Sequence, residues 1–190
     1  MKVSREQVAE NRQKILDAAS DLFRAKGYES VTVADVMKAA GLTHGGFYGY
    51  FKSKDDLIAH ALAHVFERAA ASDTEVVRYA AKYLSPAHRD DLACGCPVAA
   101  LGGETVRQTP EARAVVTRAL RERIERVAAS MAHVDPVIAR REAIGSWSAM
   151  VGGLILARLA DDPKLADEVL EETLAWIDAR ATQHEVTENM

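Results

Sequence analysis

Residues 42–54 of this sequence bring together glycines, aromatic rings and a lysine that could bind an anion. Four of the chain's eleven aromatic residues fall within the five positions from Phe47 to Phe51. Glycine leaves its backbone N–H accessible, and phenol hydroxyls and an ammonium group also donate hydrogen bonds. Phosphate oxygens accept hydrogen bonds from all three kinds of donor. The segment therefore offers one set of donors to a phosphate backbone: Gly45, Gly46, Tyr48, Tyr50 and Lys54.

The rings of this segment divide into two sets. Phe47 and Phe51 lie four residues apart, on one face of a helix, and we expect them to anchor that helix to its neighbours. The hydroxyls of Tyr48 and Tyr50 can reach phosphate oxygens while their rings pack. The alternative is a glycine-rich loop whose aromatic rings all belong to the core. Lys54 favours the first interpretation, because a cation in the first turn of a helix opposes the helix dipole unless an anion lies beside it.

Both cysteines of the chain, Cys94 and Cys96, lie in the distinctive segment 90–104, DDLACGCPVAALGGE. Cys96 precedes Pro97, which is a helix-start signal, and thiols at helix N-termini can be unusually reactive. One hypothesis is that Cys96, together with Cys94, senses oxidants or electrophiles. The alternative is that Cys96 is a small buried residue at a turn.

Cys96 could also be the nucleophile of a small thiol or hydrolytic enzyme, with His88 as its histidine and residues 44–46, HGG, as part of an oxyanion loop. The sequence contains no G-x-S-x-G nucleophile elbow, and no strand pattern supplies the scaffold on which such sites are built. We therefore expect no enzymatic activity and no cofactor.

His60 and His64 lie four residues apart and, with Glu67, have the spacing of metal ligands on a helix. Two histidines on a helix face are more often solvated than bound to a metal. We therefore expect no metal site.

The segments that must position these residues have the periodicity of helices. Residues 5–26 carry one apolar stripe, residues 32–40 form a short helix capped by Thr32 with Asp35 as capping-box partner, and Ser53 begins another helix. Further helical patterns cover residues 74–84, 97–108, 110–132, 136–160 and 163–180. The last ten residues resemble a fraying tail. We predict an all-α fold of about nine helices.

Prolines mark the starts of several helices. Four of the five follow a Ser, Thr or Asp residue, whose side chain can accept a hydrogen bond from the first helical turn. Proline at the next position has no N–H to leave unpaired. Pro97 follows Cys96 and is a weaker signal. The four strong signals are Ser85-Pro86, Thr109-Pro110, Asp135-Pro136 and Asp162-Pro163.

Helix 32–40, a turn at residues 41–43 and a short helix at about 43–50 follow one another in the order of a helix-turn-helix. The second helix of that motif enters the major groove of DNA with its N-terminal residues toward the base edges. A glycine inside a helix costs up to about 1 kcal/mol relative to alanine. Gly45 and Gly46 therefore indicate a backbone that must approach another molecule closely.

Residues 15–62 resemble the DNA-binding domain of the TetR-type (TetR/AcrR) transcriptional regulators. The matching features are the pattern AA..LF...G in the first helix, the pattern T...V..AAG in the second, and the block FYGYFKSKDDL. The resemblance implies a helix-turn-helix domain over residues 1–53, with its motif at 32–51, and an effector-binding and dimerisation domain over residues 54–190. It also implies a ligand-responsive repressor that binds a palindromic operator as a homodimer and is released by a small-molecule or redox effector.

By position, the resemblance implies contacts with double-stranded DNA for eight residues. Those implied to touch phosphate are Thr32, Tyr48, Tyr50 and Lys54, and those implied to face bases or backbone are Thr43, His44, Gly45 and Gly46. The chain departs from the family pattern at Gly49, where many relatives have a large residue, and at His44, where many have Lys or Arg. A histidine can donate to guanine or accept from adenine.

Helix 136–160 alternates small and large apolar residues. Its stripe of Ile144, Trp147, Val151 and Leu154 could pack against a second copy of the chain or lie in the chain's own core. The resemblance favours the homodimer. The sequence does not name an effector, and the candidate effector residues by position are Arg78, Tyr79, Tyr83, Arg107, Arg118 and Trp147, with Cys94 and Cys96 for a redox effector.

The composition is that of a globular protein, with 48% hydrophobic residues and a net charge of −4. No apolar run approaches the ~20 residues that span a bilayer, and the first residues are polar. The first 58 residues carry nine basic and eight acidic residues, so they are the less acidic part. We expect a cytoplasmic protein with no membrane partner. A helical interaction protein without DNA binding is an alternative that Thr32, Tyr48 and Lys54 argue against.

Overall fold

The computed structural model describes residues 4–69, 75–131 and 134–188, and within these ranges the chain is helical and contains no strand. Nine α-helices and one 3-10 helix occur there, which confirms the predicted all-α fold. The α-helices are α1 (Arg5–Lys26), α2 (Val33–Ala39), α3 (Lys54–Ala69), α4 (Val76–Tyr83), α5 (Pro86–Asp90), α6 (Pro97–Thr105), α7 (Pro110–Ser130), α8 (Pro136–Leu159) and α9 (Pro163–Glu188). The 3-10 helix, η1, is His44–Gly49. No helix of the described ranges has the length and apolar character of a membrane span.

All five prolines begin helices, as the sequence predicts. The residues before four of them accept hydrogen bonds from the first helical turn, which pairs N–H groups that would otherwise have no partner in the helix. The caps Ser85, Thr109, Asp135 and Asp162 accept from the N–H groups of His88, Ala112, Val137 and Lys164, respectively.

Two glycines end the first two helices where the sequence places them. Gly27 follows α1 with φ at 80°, and Gly41 follows the cap of α2 with φ at 71°. Residues other than glycine are strained in this region of positive φ. The N–H of Leu42 donates to the C=O of Met37, which closes the end of α2 and turns the chain toward η1.

The helices fall into two compact units. The first comprises residues up to 69 together with residues 96–118, and its core is built by α1, α2, η1, α3, α6 and the start of α7. Its largest fully buried side chains include Phe23, Tyr28, Phe47, Phe51 and Leu57. Helix α1 packs on α2, α3 and α6 and is therefore the centre of this unit.

The second unit comprises the described residues from 75 to 95 and from 119 onward. Helices α8 and α9 lie side by side, and both pack on α4. The Cβ atom of an alanine at Gly153 would lie 2.9 Å from Thr173 Oγ1, so glycine is what lets α9 approach α8 this closely. The buried Glu142 carboxylate accepts hydrogen bonds from Arg180 Nε at 3.0 Å and Nη2 at 2.6 Å and ties the same two helices together.

Two expectations from the sequence differ from this architecture. Helix α9 continues to Glu188, so the prediction of a fraying tail is wrong for residues 181–188. Neither glycine nor proline interrupts the helix there. Residues 189 and 190 lie outside the described ranges. The first unit also includes residues 54–69, because Leu57 and Ile58 fill the core that α1 lines. The predicted boundary between residues 53 and 54 refers to a division by function, which these compact units do not test, and it stays a prediction.

Candidate nucleic-acid interface

The short helix predicted at about 43–50 is the 3-10 helix η1. The N–H of Gly46 donates to the C=O of Thr43 at 3.1 Å, and the N–H of Tyr50 donates to the C=O of Phe47 at 2.9 Å, which is the i to i−3 spacing of a 3-10 helix. Three of its six residues are glycines, which weaken an α-helix and keep this element short. Thr43 precedes η1 as its cap and makes no side-chain capping bond.

Phe47 and Phe51 anchor η1, as predicted. Both side chains are buried, and their rings stack with centroids 5.8 Å apart. The guanidinium of Arg12, on α1, lies 5.1 Å from the centre of the Phe51 ring, which is cation–π distance. The two phenylalanines therefore anchor η1 in the core of the first unit and leave its opposite side outward.

The outward side of η1 presents donors to solvent. The Tyr48 side chain is 72% exposed, and its ring contacts the edge of Phe47 with centroids 5.2 Å apart. Thr43, His44 and Gly45 are also exposed, whereas Gly46 is half-buried. We call this set, Thr43 to Gly46 with Tyr48, the η1 surface.

Tyr50 is half-buried and held by α1. Its phenol oxygen accepts a hydrogen bond of 3.0 Å from the side-chain amide of Asn11. Because the oxygen serves as acceptor in this bond, the hydroxyl hydrogen is left to donate to another group. The bond restricts the directions in which that hydrogen can point. No local sequence pattern predicts the bond, since the two residues are 39 positions apart.

In the part of the chain that the structure describes, neither packing nor backbone geometry requires glycine within η1. Among the described residues, positive φ angles occur only at Gly27 and Gly41. An added Cβ would meet nothing within 4 Å at Gly45 or Gly49, and at Gly46 only Met37 Cε and Thr43 Oγ1, at 3.8 and 3.9 Å. The glycines therefore leave open space on the outside of η1 without serving the packing of the fold.

Thr32 caps α2 with Asp35 as its capping-box partner, as predicted. Both hydrogen-bond donors of Thr32, its N–H and its hydroxyl, are occupied by Asp35. Its hydroxyl donates to Asp35 Oδ2 at 2.6 Å, and its N–H donates to the same oxygen at 2.9 Å. These bonds, the one from the hydroxyl foremost, lower the pKa of the Asp35 carboxyl. Thr32 is exposed, but a phosphate at this site would have to bind N–H groups of the first turn of α2 or displace Asp35.

Lys54 is the first residue of α3 and is half-buried. The Oγ of Ser53 accepts from the N–H of Asp56, as predicted, and the N–H of Lys52 donates to Asp56 Oδ2 at 2.9 Å. The start of α3 is thus fixed by Ser53 and Asp56, and the ammonium of Lys54 is carried at the positive end of the helix dipole.

The residues assigned to an effector are divided between the two units. Arg107 and Arg118 are exposed and belong to the first unit. Trp147 belongs to the second, where its ring lies 5.5 Å from that of Tyr83 and 6.3 Å from that of Tyr79. The sequence predicted these three aromatic residues by position, and the structure brings them together.

Sequence reasoning missed the residue at the centre of this aromatic cluster. Arg123, on α7, is only 7% exposed, and its guanidinium carbon lies 3.8 Å from the centre of the Tyr79 ring and 5.2 Å from that of Trp147. Arginine is almost never buried without such partners. We call Tyr79, Tyr83, Arg123 and Trp147 the aromatic cluster.

The residues of the enzymatic alternative serve structural contacts. His88 Nδ1 lies 2.6 Å from the C=O of Tyr83, and burial lowers the pKa of its imidazole. Arg158 Nη2 donates to the C=O of His88 at 2.8 Å. Cys96 caps α6 and is half-buried, and Cys94 is exposed; neither forms a disulfide.

Neither histidine of the possible metal pair is placed to share a metal with the other. His60 Nδ1 lies 2.8 Å from the C=O of Asp56, whereas His64 Nε2 lies 2.8 Å from Asp17 Oδ1 on α1. Over the part of the chain that the structure describes, no group of three or more His, Cys, Asp or Glu residues could hold a metal ion.

Comparison with known proteins finds related sequences for part of the first unit. The family described as bacterial regulatory proteins, tetR family, matches residues 15–61. The HTH-type transcriptional regulator AcrR of Shigella flexneri is 41% identical over 56 residues, which are 30% of this chain and 26% of that protein. The HTH-type transcriptional repressor KstR of Rhodococcus jostii is 44% identical over 59 residues, 31% of this chain and 28% of that protein. The matches thus span little more than a quarter of these curated relatives.

Solved structures extend the similarity to the whole fold. A TetR transcriptional regulator from Chloroflexus aurantiacus is 25% identical, with a TM-score of 0.66 over 91% of this chain and 96% of that one. The reduced form of Escherichia coli NemR is 17% identical and shares the fold, with a TM-score of 0.71 over 88% and 94% of the two chains. The sequence match to the tetR family of bacterial regulatory proteins thus covers residues 15–61, and the similarity to a solved TetR regulator extends over 91% of the chain.

Proposed function

We propose that this protein is a transcriptional regulator, and specifically a repressor, that binds double-stranded DNA through the η1 surface, Tyr50 and Lys54. The observation that carries the proposal is the division of η1 into a buried side and an open side. Phe47 and Phe51 are buried, whereas Tyr48, the residue next to Phe47, is 72% exposed. A regulator of this kind acts in the cytoplasm, where its DNA lies.

The glycines of η1 support the same proposal. Packing and backbone geometry do not require them, so the open space that they leave is explained by a molecule outside the chain. A DNA backbone that approaches η1 closely would use this space, and the N–H of Gly45 could then bind phosphate, whereas the N–H of Gly46 already donates to Thr43. His44, exposed at the start of η1, would face base edges.

The test is selection of duplexes from a random DNA library by the purified full-length protein. We expect the recovered duplexes to share a sequence with two-fold symmetry, because two copies of one reading unit bind two equivalent half-sites. Recovery of sequences without a shared motif would contradict the proposal.

Lys54→Ala supplies a second measurement on the selected duplex. Each phosphate neutralised by a lysine contributes about 0.9 to the slope of log affinity against log salt concentration. We expect the slope of Lys54→Ala to be shallower than that of the wild type by about 1 per protomer. Lys82→Ala, an exposed lysine in the second unit, is the control and should leave the slope unchanged.

We propose a homodimer that associates through an outer face of α8 and α9. The stripe predicted from the sequence is only partly available for this role, because Leu154 is fully buried and Trp147 lies in the aromatic cluster. The exposed apolar residues are instead Val137, Ile138, Ile144, Leu156 and Leu159 on α8 and Leu165 and Trp176 on α9. On α8 they accompany Gly145, Ser148 and Gly152, small residues that let a second helix approach.

Sedimentation analysis of Leu159→Glu tests the dimer. Leu159 is 74% exposed, so the substitution leaves the core of a single chain intact but places a charge in the proposed interface. We expect a monomer. Leu92→Glu, at an exposed leucine outside α8 and α9, should remain dimeric. A monomeric wild type would contradict the proposal.

We propose that a small-molecule effector binds at the aromatic cluster. Rings from α4 and α8 and a guanidinium from α7 meet there, and ligand sites combine aromatic walls with a few polar groups in this way. Trp147 reports on the site by fluorescence when Trp176, the only other tryptophan, is replaced by Phe. We expect compounds that release the duplex to change the fluorescence of Trp147. Release without such a change would contradict this site.

A redox effector is the second candidate, favoured by the position of Cys96 at the N-terminus of α6, with Cys94 two residues earlier. An electrophile should then release the duplex from the wild type but not from Cys96→Ser. Unchanged release from that variant would exclude Cys96 as the sensor.

A further inference from the structure

The turn between α1 and α2 is held at one residue from two sides by the end of α6. The N–H of Tyr28 donates to Glu104 Oε2 at 2.7 Å, and the Tyr28 hydroxyl lies 3.0 Å from Thr105 Oγ1. Glu104 and Thr105 are the last two residues of α6. Backbone and side chain of Tyr28 are thus both bound by residues about 76 positions further along the chain.

The hydrogens in this arrangement have a defined order. The Thr105 hydroxyl donates to the C=O of Leu101 at 2.8 Å, one turn earlier in α6. Its oxygen is then the acceptor for the Tyr28 hydroxyl. Tyr28 is only 1% exposed, and this burial raises the pKa of its phenol to about 12, so the phenol is a neutral donor.

Gly27 brings the Glu104 carboxylate against the turn. An added Cβ at Gly27 would lie 2.5 Å from Glu104 Oε1, closer than nonbonded atoms approach. Gly27 also has φ at 80°, which turns the chain out of α1. Glycine at this position therefore serves two purposes: it permits the turn, and it leaves room for the Glu104 carboxylate.

The turn fixes the start of the helix that precedes η1. Tyr28 packs edge-on against Phe23 of α1 with centroids 5.3 Å apart, and Val31 is fully buried. The next residue, Thr32, caps α2, and α2 packs directly on η1. The direction in which α2 leaves α1 therefore depends on how the end of α6 holds Tyr28.

We propose that Glu104 and Thr105 are positioning residues for DNA binding. They touch no DNA, and they set the orientation of α2 and η1 relative to α1 by holding Tyr28. The inference rests on the proposed function. It means that α6 contributes to DNA binding as part of the first unit. In the chain, α6 follows residues 75–95, which belong to the second unit.

The test compares full-length variants for their affinity for the duplex recovered from the random library and for their melting temperature. Glu104→Gln keeps an oxygen that can accept from the Tyr28 N–H, and Glu104→Ala removes it. Thr105→Ser keeps the hydroxyl, and Thr105→Val removes it with little change of shape. We expect the Ala and Val variants to bind about ten-fold more weakly, as the loss of a buried hydrogen bond allows. The Gln and Ser variants should restore most of the affinity.

Ile15→Val distinguishes positioning from general stability. Ile15 is buried in the same core, in the middle of α1. We expect its variant to lower the melting temperature without weakening DNA binding at a temperature well below the melting point. The inference is overturned if Glu104→Ala and Thr105→Val bind the duplex as tightly as the wild type. It is also overturned if they lose no more affinity than Ile15→Val does for the same loss of melting temperature. If the wild type recovers no shared duplex, the proposed function fails and the inference fails with it.

Discussion

The side-chain amide of Asn11 donates a hydrogen bond of 3.0 Å to the phenol oxygen of Tyr50. Asn11 lies in α1 and Tyr50 immediately follows η1, so the bond joins the central helix of the first unit to the end of the proposed DNA-binding element. It leaves the Tyr50 hydrogen free for a phosphate and restricts the direction in which this hydrogen can point. If η1 binds DNA as proposed, we expect Asn11 to act on DNA through Tyr50.

Removal of this bond should weaken DNA binding only as long as Tyr50 has its hydroxyl. We expect Asn11→Ala and Tyr50→Phe each to reduce affinity for the selected duplex about three- to ten-fold, as hydrogen bonds worth roughly 1 kcal/mol would. The double variant should lose little more affinity than Tyr50→Phe alone, because Asn11 has no effect on DNA once the Tyr50 hydroxyl is removed. Full additivity in a fluorescence anisotropy titration would show that Asn11 does not act through Tyr50.

Gly45→Ala should separate folding from DNA binding. The added Cβ meets nothing within 4 Å and the backbone has negative φ, so we expect equal or higher stability, by up to about 1 kcal/mol. Affinity for the duplex should fall because the methyl group holds the DNA backbone away from η1.

Gly103→Ala is the matched control for this change. Gly103 is an exposed helical glycine in α6 with the same open space around it. It should show the same effect on unfolding and no loss of affinity. Equal affinities of Gly45→Ala and the wild type would remove the steric explanation of the glycines in η1.

The elements of this fold could be predicted from sequence because their signals are local. Pro97 and Ser53 mark helix starts, and Gly27 and Gly41 mark helix ends, through contacts within a few residues. Phe47 and Phe51 could be assigned to the core from their spacing alone.

Contacts between distant residues could not be predicted in this way. The bonds of Tyr50 to Asn11 and of Tyr28 to Glu104 depend on how helices pack, and no local pattern encodes them. Arg123 has the appearance of a solvated residue in the sequence, and only the positions of Tyr79 and Trp147 show why it is buried. For the same reason, the sequence leaves open whether the stripe through Trp147 and Leu154 faces a second copy or the chain's own core, and the structure buries Leu154 inside the chain.

Gly153→Ala should destabilise the second unit. Its Cβ would lie 2.9 Å from Thr173 Oγ1, 3.1 Å from Thr173 Cγ2 and 3.3 Å from Leu84 Cδ2, so α9 and the end of α4 would have to move. We expect a loss of about 1–3 kcal/mol in thermal or denaturant unfolding, as overpacking causes in well-packed cores. Gly102→Ala, whose Cβ would meet only Val98 Cγ1 at 3.9 Å, should not be destabilised. Similar loss in both variants would contradict close packing at Gly153.

Acidification should destabilise the protein partly through His88. Burial lowers the pKa of its imidazole below the ordinary value of 6.5, so the unfolded chain binds a proton at a pH where the folded chain does not. Stability from this residue is complete above pH 6.5 and falls as the pH is lowered from there. In His88→Asn an amide N–H can replace Nδ1 at the Tyr83 carbonyl, and the melting temperature should depend less on pH between 7 and about 5. An unchanged pH profile would contradict the assignment.

Tyr48→Phe tests the central claim most directly, because it removes one oxygen atom from a side chain that is 72% exposed and changes nothing in the core. The measurement is the affinity for the selected duplex by fluorescence anisotropy at fixed salt concentration, with the melting temperature as control. We predict an unchanged melting temperature and binding weaker by about ten-fold, the value of a hydrogen bond from a hydroxyl to a charged phosphate. Affinity equal to that of the wild type would contradict DNA binding through the η1 surface.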